Sequence, residues 1–318
     1  MARPDRARPA VTGSATRRTR TQRKPRRVAL LGRAQRKIVG ERLAKLEIAL
    51  ERKGIDVVLV RGDDGTPGAG FSPDPEMLEA ARRSDLLITL GGDGTILAGA
   101  RVVAGTKVPI LPVNLGGLGF LASFEGRELD EAVRAALEGS LTVEKRALLE
   151  ARLLPHGGAR PRPLGHALND VVVKHSTTFR ALRMEAWAGD SYLGPIVADG
   201  LVISTPSGST AYSLSAGGPV VAPGLDALVV TPICPHTLGM RSLVLPPHLD
   251  VRVRVTGRDA TDALVSLDGL EAIPVGPRDA VRVRLVPDAV RFLRRPGVTL
   301  PVTVPQKLGW VGSKLRRS

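Results

Sequence analysis

The sequence predicts an α/β N-terminal domain with a doubly wound parallel sheet, followed by an all-β C-terminal domain that forms a layered β-sandwich. Up to about residue 140, short apolar runs alternate with segments of helical spacing, a pattern typical of a parallel sheet covered by helices. Beyond that point, β-branched runs separated by Pro and Gly turns replace the helical periodicity. We therefore expect an α/β domain over residues 28–142 and a β-rich domain over residues 143–298.

The first half alternates strand-like and helix-like segments. The strand-like runs are Arg27–Arg33, Asp56–Val60, Leu86–Leu90 and Val108–Val113. A helical stripe of Ile38, Leu43, Leu46, Ala49 and Leu50 follows the first run, and further helices are predicted over Pro75–Arg83, 94–104 and Glu128–Glu138. Helices between successive strands are the connections that a parallel sheet requires.

The second half reads as strands throughout. Its β-branched runs are Leu148–Leu154, Asn169–Val173, Arg183–Trp187, Leu201–Ser204, Ala227–Thr231, Val251–Thr256, Leu264–Leu267 and Ala280–Val286. Short strands at this spacing predict two sheets packed face to face.

The net charge of +15 lies mostly in the two ends of the chain. Residues 1–27 carry ten Lys or Arg against one Asp, and the last five residues add three more positive charges. We expect 1–27 to be a disordered basic tail, which gives no support to a specific nucleic-acid partner. The segment 299–318 either extends away or packs back on the first domain. A single cysteine, Cys234, excludes a disulfide framework and favours a reducing, cytoplasmic setting, and no apolar run is long enough for a membrane span.

A glycine-rich turn, Gly91-Gly92-Asp93-Gly94-Thr95, ends the run Leu86–Leu90 and opens a helix. Glycines let backbone N–H groups approach phosphate oxygens, and the helix N-terminus adds partial positive charge. Asp93 is unusual there, because a carboxylate repels phosphates unless it holds a metal or takes a proton. We expect a larger side chain at Gly94 to block a close backbone approach or a left-handed conformation.

A second glycine cluster, Asn114–Leu121, follows the next strand and belongs on the same sheet edge, where ligands bind in open α/β sheets. The spacing contains neither Gly-x-Gly-x-x-Gly nor a Walker pattern. Glycine turns without Asp93 would be explained equally well as tight strand-to-helix connections.

The β-rich half contains a run dense in hydroxyl groups, Asp199–Gly218, which includes Ser-Thr-Pro-Ser-Gly-Ser-Thr-Ala-Tyr. Hydroxyl and turn N–H groups suit a ribose, a diphosphate or an adenine edge, and Tyr212 offers a ring face. The alternative is a surface loop rich in Ser and Thr. Asn169-Asp170 supplies an amide and a carboxylate for sugar hydroxyls, although the dipeptide alone is more often a turn. The histidines show no metal-ligand spacing.

These motifs together resemble the prokaryotic NAD kinase family. The resemblance spans about residues 28–311 and rests on Gly91–Thr95, Asn114–Leu121, Asn169-Asp170, Asp199–Gly218, Pro232–Leu238 and Lys307–Trp310. The Gly-Gly-Asp-Gly-Thr turn by itself is shared with diacylglycerol and sphingosine kinases, which are not expected to carry the hydroxyl-rich run.

The resemblance implies transfer of a phosphoryl group from ATP or polyphosphate, with Mg²⁺ or another divalent cation, to the 2′-hydroxyl of the adenosine ribose of NAD. Asp93 would be the general base, or a metal-linked carboxylate that orients the hydroxyl. The remaining implied contacts are Gly91, Gly92, Gly94 and Thr95 for the phosphate donor, and Asn169, Asp170, Arg180, Asp199, Thr210, Ala211, Tyr212, Ser213, Leu214 and Ser215 for NAD. The family also implies a homodimer or homotetramer.

Two positions depart from the family pattern. Leu270 stands where the family often has Gln after Asp268-Gly269, and Val197 stands where some bacterial members have Arg. Both leave the choice between NAD and NADH open. A lipid kinase with the same glycine turn and a nucleotide-binding regulator without catalysis remain as alternative functions.

Overall fold

The computed structural model describes residues 25–33, 36–60, 74–116, 119–176, 181–237, 239–257, 262–270, 272–297 and 304. Three regions of the predictions lie outside these residues: the basic tail up to residue 24, the loop 61–73, and nearly all of the segment 299–318. Within that last segment only Val304 is described, and its side chain is buried.

The N-terminal half forms a parallel sheet with helices on both faces, as the sequence predicts. Its strands run in the order β2-β1-β3-β4. The strands are β1 (Arg27–Gly32), β2 (Asp56–Val60), β3 (Leu86–Gly91) and β4 (Pro109–Asn114), and the helices are α1 (Lys37–Glu51), α2 (Pro75–Arg82), α3 (Asp93–Val102) and α4 (Leu129–Leu137). Because β3 and β4 are buried along their whole length, they read as continuous apolar runs.

Two apolar layers cover this sheet. Helices α1 and α4 pack with Leu30, Ile88 and Val113 on one face, whereas α3 packs with Leu87 and Ile110 on the other. Since successive strand residues point to opposite faces, one apolar run serves both layers.

The buried side of α1 differs from the predicted stripe. Its buried residues are Val39, Leu43, Leu46 and Leu50, whereas Ile38 is 66% exposed. Positions 39, 43, 46 and 50 follow the helical repeat, and Ile38 lies one residue off that line.

The C-terminal half is a sandwich of two sheets, as predicted. Six strands form one layer in the order β13-β12-β11-β8-β15-β16, and the facing layer contains β10, β9, β14, β17, β6 and β7. The strands of the sandwich are β6 (Thr142–Leu154), β7 (Arg162–Ala167), β8 (Asp170–His175), β9 (Leu182–Ala188), β10 (Ser191–Ala198), β11 (Gly200–Ser204), β12 (Leu228–Ile233), β13 (Leu243–Leu245), β14 (Val251–Thr256), β15 (Ala263–Leu267), β16 (Ile273–Val275) and β17 (Ala280–Arg294), whereas the short β5 (Phe124–Glu125) pairs with β4 in the first half. The apolar side chains of both layers share one core.

Several strands that the sequence did not indicate lie at sheet edges. β10, β13 and β16 end their sheets, and β7 pairs only with β6. Edge strands tolerate Pro and Gly because one side of their backbone makes no ladder hydrogen bonds. Their sequences therefore resemble loops.

The last strand, β17, joins the two halves. The prediction that it ends at Val286 is wrong, because it continues to Arg294 after a register shift between Val286 and Val290. Its first part pairs with β14, and Arg291 and Phe292 pair in parallel with β4. One eleven-stranded sheet therefore runs through both halves, and the domain boundary near residue 142 stays a prediction.

Two further short helices follow β11. They are a 3₁₀ turn at Gly208–Thr210 and α5 (Tyr212–Ser215), while a third short turn, Gly126–Glu128, precedes α4. None of the described helices has the length and apolar character that a bilayer crossing needs.

Candidate active site

The two glycine-rich turns lie side by side at the carboxyl ends of β3 and β4. Gly91 and Asn114 are register partners in the sheet, and the Leu115 N–H donates to the Gly91 carbonyl at 3.3 Å. The prediction that both turns share one sheet edge is confirmed. They line an open cavity of about 620 Å³.

Asp93 is the first residue of α3 and faces the second glycine turn. Its Oδ2 accepts a hydrogen bond from the Phe120 N–H at 3.2 Å, whereas its Oδ1 is buried and has no hydrogen-bond partner among the described residues. A Cβ atom at Gly119 would lie 2.0 Å from that Oδ1. The carboxylate therefore occupies space that only a glycine at position 119 leaves free.

The glycines on either side of Asp93 are explained by different structural constraints. A Cβ at Gly91 would lie 2.3 Å from the Thr95 Oγ1, so Gly91 is required by packing against buried Thr95. Gly92 and Gly94 have nothing within 4 Å of a Cβ position. Of the two reasons expected for a glycine at position 94, a left-handed conformation does not apply, because Gly94 lies in the first turn of α3 and its φ is not positive, and a close backbone approach remains. Open space over these two residues leaves room for a ligand.

Basic side chains line the same cavity on the side of α1. Arg33 and Arg36 come from the connection between β1 and α1, Lys37 is the first residue of α1, and Ile38 lies beside them. None of these residues belongs to a motif that indicated the site from the sequence. The signal available was a cluster of three cations directly after a buried parallel strand, at the edge where the glycine turns also lie.

A larger surface cavity of about 770 Å³ lies between α1 and α4. Its lining includes Leu46, Ala49 and Val133 and contains none of the predicted site residues. Of the two cavities, only the one at the glycine turns is lined by predicted site residues.

Glu144, Arg146 and Arg294 form a charged cluster between β6 and β17, in which both arginines are buried and Glu144 is half-buried. Glu144 pairs with Arg146 at 2.9 Å and with Arg294 at 2.8 Å. Burial alone would raise the pKa of Glu144, but the two guanidinium groups hold it below its usual value. Burial, with Arg146 beside it, lowers the pKa of Arg294 to about 9, and Glu144 and Asp93 oppose that change.

This cluster connects both halves of the site. Arg146 Nη1 donates to the Ser207 hydroxyl at 3.2 Å, and Arg294 Nη1 donates to Ser123 at 2.6 Å. Both guanidinium groups also stack over the Phe292 ring. With two cations and one carboxylate, the cluster places a net positive charge near Asp93.

The Asn169-Asp170 pair lies at the start of β8, against the hydroxyl-rich loop. A Cβ at Gly208 would lie 2.0 Å from the Asn169 carbonyl oxygen, and the Thr205 N–H donates to that oxygen at 2.9 Å. The Asn169 Oδ1 is buried and makes no hydrogen bond within the described part of the chain. Two motifs that are far apart in sequence therefore form one surface.

Asp170 is a buried carboxylate with a strongly perturbed titration. Burial and the neighbouring Asp268 carboxylate raise its pKa to about 7, while a hydrogen bond from the Tyr212 backbone N–H opposes the rise. A carboxylate that titrates near neutrality in a cleft is typical of functional sites.

Most hydroxyl groups of the run Ser204–Ser213 hold the loop together. Thr205 donates to the Leu168 carbonyl at 2.5 Å, Ser209 donates to the Pro206 carbonyl at 2.7 Å, and Ser213 shares a hydrogen bond with Thr231 at 2.9 Å. All three are fully buried. The sequence alone did not distinguish such scaffold hydroxyls from ligand donors.

The outer residues of this loop face solvent. Tyr212 is 41% exposed, Ser215 and Asp199 are exposed, and Thr210, Ala211 and Leu214 are half-buried. Burial raises the pKa of the Tyr212 phenol, and the neighbouring Cys234, Asp170 and Asp199 raise it further. Arg180 and Lys307–Trp310 lie outside the described residues.

The arrangement of these groups indicates a class of protein. A cavity lined by glycine turns and cations, a half-buried carboxylate whose Oδ1 has no hydrogen-bond partner among the described residues, and a second surface of amide, carboxylate and ring groups fit the requirements of phosphoryl transfer to a nucleotide.

Comparisons with known proteins agree with this class. The family model described as ATP-NAD kinase N-terminal domain matches residues 77–141, and that described as ATP-NAD kinase C-terminal domain matches residues 168–295. The NAD kinase of Gemmatimonas aurantiaca is 43% identical over 228 residues, 72% of this chain and 78% of that protein. The NAD kinase of Marinobacter nauticus is 35% identical over 287 residues, 90% of this chain and 96% of that protein.

Solved structures share the fold. The crystal structure of yeast NADH kinase complexed with NADH matches with a TM-score of 0.80 and 25% identity over 93% of this chain and 91% of that chain. An NAD kinase from Archaeoglobus fulgidus in complex with ATP matches with a TM-score of 0.66 and 23% identity, covering 85% and 94%. The chain belongs to the NAD kinase family. It is a phosphotransferase that phosphorylates NAD, and the lipid-kinase alternative is not favoured.

Proposed function

We propose that Asp93 is the general base that accepts the proton of the 2′-hydroxyl of the adenosine ribose of NAD during phosphoryl transfer. The observation that supports this role is the Asp93 Oδ1, which is buried, has no hydrogen-bond partner among the described residues and adjoins the glycine-turn cavity. The hydroxyl oxygen bonds to the terminal phosphorus as the bond from phosphorus to its bridging oxygen breaks. The products are NADP and either ADP or a shortened polyphosphate.

The donor phosphates would lie in the glycine-turn cavity. Gly92 and Gly94 leave open space above the N-terminus of α3, and Gly91 and Thr95 hold the turn in shape. Arg33, Arg36 and Lys37 line the same cavity. Phosphoryl transfer depends mainly on positioning and charge neutralisation, which these groups provide.

NAD would bind the surface formed by Asn169, Asp170 and the hydroxyl-rich loop. Asn169 and Asp170 offer acceptors for sugar hydroxyls, and the exposed ring of Tyr212 offers a face for a base. The remaining proposed contacts come from Arg180, Asp199, Thr210, Ala211, Ser213, Leu214 and Ser215. Because the Ser213 hydroxyl is bonded to Thr231, we assign its contribution to the loop backbone.

A divalent cation could be bound at this site by one protein carboxylate, that of Asp93. The described residues contain no group of three or more His, Cys, Asp or Glu side chains that could hold a metal ion. The unpartnered Asp93 Oδ1 is the hard oxygen ligand that Mg²⁺ prefers. Such an ion would be held mainly by donor phosphates and would neutralise their charge. Asp93 as a metal-linked carboxylate is therefore the second candidate role.

The test is Asp93→Asn, which keeps the shape of the side chain and removes its basicity. We expect NADP formation to fall by about 10²–10⁴-fold while NAD affinity is retained, because proton acceptance contributes that much to such reactions. Turnover is measured by a coupled assay and NAD affinity by calorimetry. Asp190→Asn, on an exposed turn, is the matched control. Turnover of Asp93→Asn within a few-fold of that control contradicts the assignment.

We also propose that the chain assembles as a homodimer or homotetramer, as the family resemblance implies, and that it works in the cytoplasm, which its single cysteine favours. Light scattering coupled to gel filtration measures the assembly. A monomer at micromolar concentration with full activity contradicts it.

A further inference from the structure

Asp268 holds the backbone of the Asn169-Asp170 pair. Its Oδ2 accepts from the Leu168 N–H at 2.9 Å, and its Oδ1 accepts from the N–H groups of Asn169 at 2.7 Å and Asp170 at 3.2 Å. The Asp268 N–H in turn donates to the Asp170 carbonyl at 2.9 Å. Its side chain is 0% exposed. Three consecutive N–H groups thus converge on one carboxylate.

Arg101 connects this carboxylate to the helix that begins at Asp93. Its Nη1 lies 3.5 Å from the Asp268 Oδ2, and it lies in the last turn of α3. Leu168 belongs to the same apolar core as Ile96 of that helix. The NAD surface and the phosphate-donor helix are therefore linked by one ion pair and one shared core.

The donor set selects a carboxylate at this position. The two carboxylate oxygens of Asp268 accept from three backbone N–H groups and from the Arg101 guanidinium. An asparagine has only one acceptor oxygen, and its NH₂ group would face other N–H donors. Burial raises the pKa of Asp268, and the three N–H groups and Arg101 oppose that rise.

We propose that Asp268, neutralised by Arg101, is a positioning residue that sets the orientation of Asn169 and the charge of Asp170 for NAD binding. This inference rests on the proposed role of the Asn169-Asp170 pair. Asp268 accepts three hydrogen bonds from the backbone around this pair but contacts α3 only through one ion pair of 3.5 Å, in the last turn of that helix and far from Asp93. Removing the Asp268 carboxylate should therefore affect NAD more than the phosphate donor.

The charged and titratable groups around Asp170 define the expected pH behaviour. The Asp268 carboxylate lies near the Asp170 carboxylate, and the Tyr212 backbone N–H donates a hydrogen bond to Asp170. Asp170 in turn raises the pKa of the Tyr212 phenol. Cys234 and Asp199 also raise the pKa of that phenol, and Arg101 faces Asp268. Removing the Asp268 charge removes one cause of the raised Asp170 pKa, whereas removing Arg101 leaves that charge uncompensated.

The experiment uses Asp268→Asn and Arg101→Met in the full chain. For Asp268→Asn we expect the KM for NAD to rise about tenfold or more, because hydrogen bonds to a charged group are lost, with the KM for ATP nearly unchanged. The acid limb of kcat/KM for NAD should move to lower pH by about one unit in Asp268→Asn and to higher pH in Arg101→Met. Opposite shifts are not expected from a purely structural defect.

Controls keep this inference separate from the proposed function. Arg127→Met, at an 80% exposed side chain, is matched to Arg101→Met, and thermal melting checks that each variant folds. If Asp268→Asn does not fold, Arg101→Met alone decides through the direction of its shift. Asp170→Asn should abolish the acid limb, and a limb that persists there refutes the role of Asp170. If the acid limb disappears in Asp170→Asn but does not move in folded Asp268→Asn and Arg101→Met, the positioning role of Asp268 is overturned while the role of Asp170 stands. An equal rise of both KM values also overturns it.

Discussion

Gly119→Ala tests whether the fit between the second glycine turn and Asp93 controls catalysis. An added Cβ would lie 2.0 Å from the Asp93 Oδ1, 2.4 Å from its Cγ and 2.5 Å from its Oδ2. A Cβ contact shorter than 3.0 Å is essentially never tolerated, so either the carboxylate or the turn must move by at least about 1 Å. A displacement of that size costs about 10²-fold in rate when the group must meet a reacting atom.

The assay is NADP formation at saturating NAD and ATP, together with NAD affinity and thermal melting. We expect turnover of Gly119→Ala to fall about 10²-fold with NAD affinity retained, because the NAD surface lies on other elements. Gly116→Ala is the matched control in the same turn, since its Cβ would make only an ordinary contact of 3.7 Å with Asn114. Equal turnover in the two variants would refute the steric argument.

Three further predictions address charge. Asp170→Asn should raise the free energy of unfolding more at pH 8 than at pH 5. The pKa of Asp170 is raised to about 7 in the folded protein, so the folded wild-type protein is destabilised by a few kcal/mol as the pH rises from the unfolded-state pKa through 7. Urea titration at both pH values measures the difference. Arg294→Lys should lower the free energy of unfolding by about 3 kcal/mol, because a lysine cannot contact both Glu144 and Ser123 in a buried site; equal urea midpoints for it and for Arg295→Lys, which is 39% exposed, would contradict this. Lys37→Ala should raise the KM for ATP several-fold and leave the KM for NAD unchanged in steady-state assays, because Lys37 lines the glycine-turn cavity.

The fold class followed from periodicity because backbone hydrogen bonding and burial act locally. Apolar runs predicted β1 to β4, and alternating β-branched runs predicted the interior strands of the sandwich. Edge strands were missed because edge positions accept Pro and Gly. The continuation of β17 past Val286 was missed because a register shift there lets the chain resume pairing after a sequence that resembles a turn.

For the candidate site as well, the sequence indicated some of the residues and missed others. The sequence identified Asp93 and its glycines, because a carboxylate inside a phosphate-type turn is chemically unusual. It did not identify Arg33, Arg36 or Lys37, which meet the glycine turns only because β1 lies beside β3. The family resemblance also gave Ser213 as an NAD contact, whereas its hydroxyl is fully buried and bonded to Thr231 of β12.

The sequence by itself determined the two-layer architecture, the phosphate-type turn and the family, because each depends on residue types at short, fixed spacings. Only the tertiary structure decided that Gly119 makes room for Asp93, that Asp268 holds the Asn169-Asp170 backbone, and that β17 joins both halves in one sheet. Each of these features is a contact between segments far apart in the chain. Close packing and hydrogen-bond satisfaction select such contacts, and neither leaves a local pattern in the sequence.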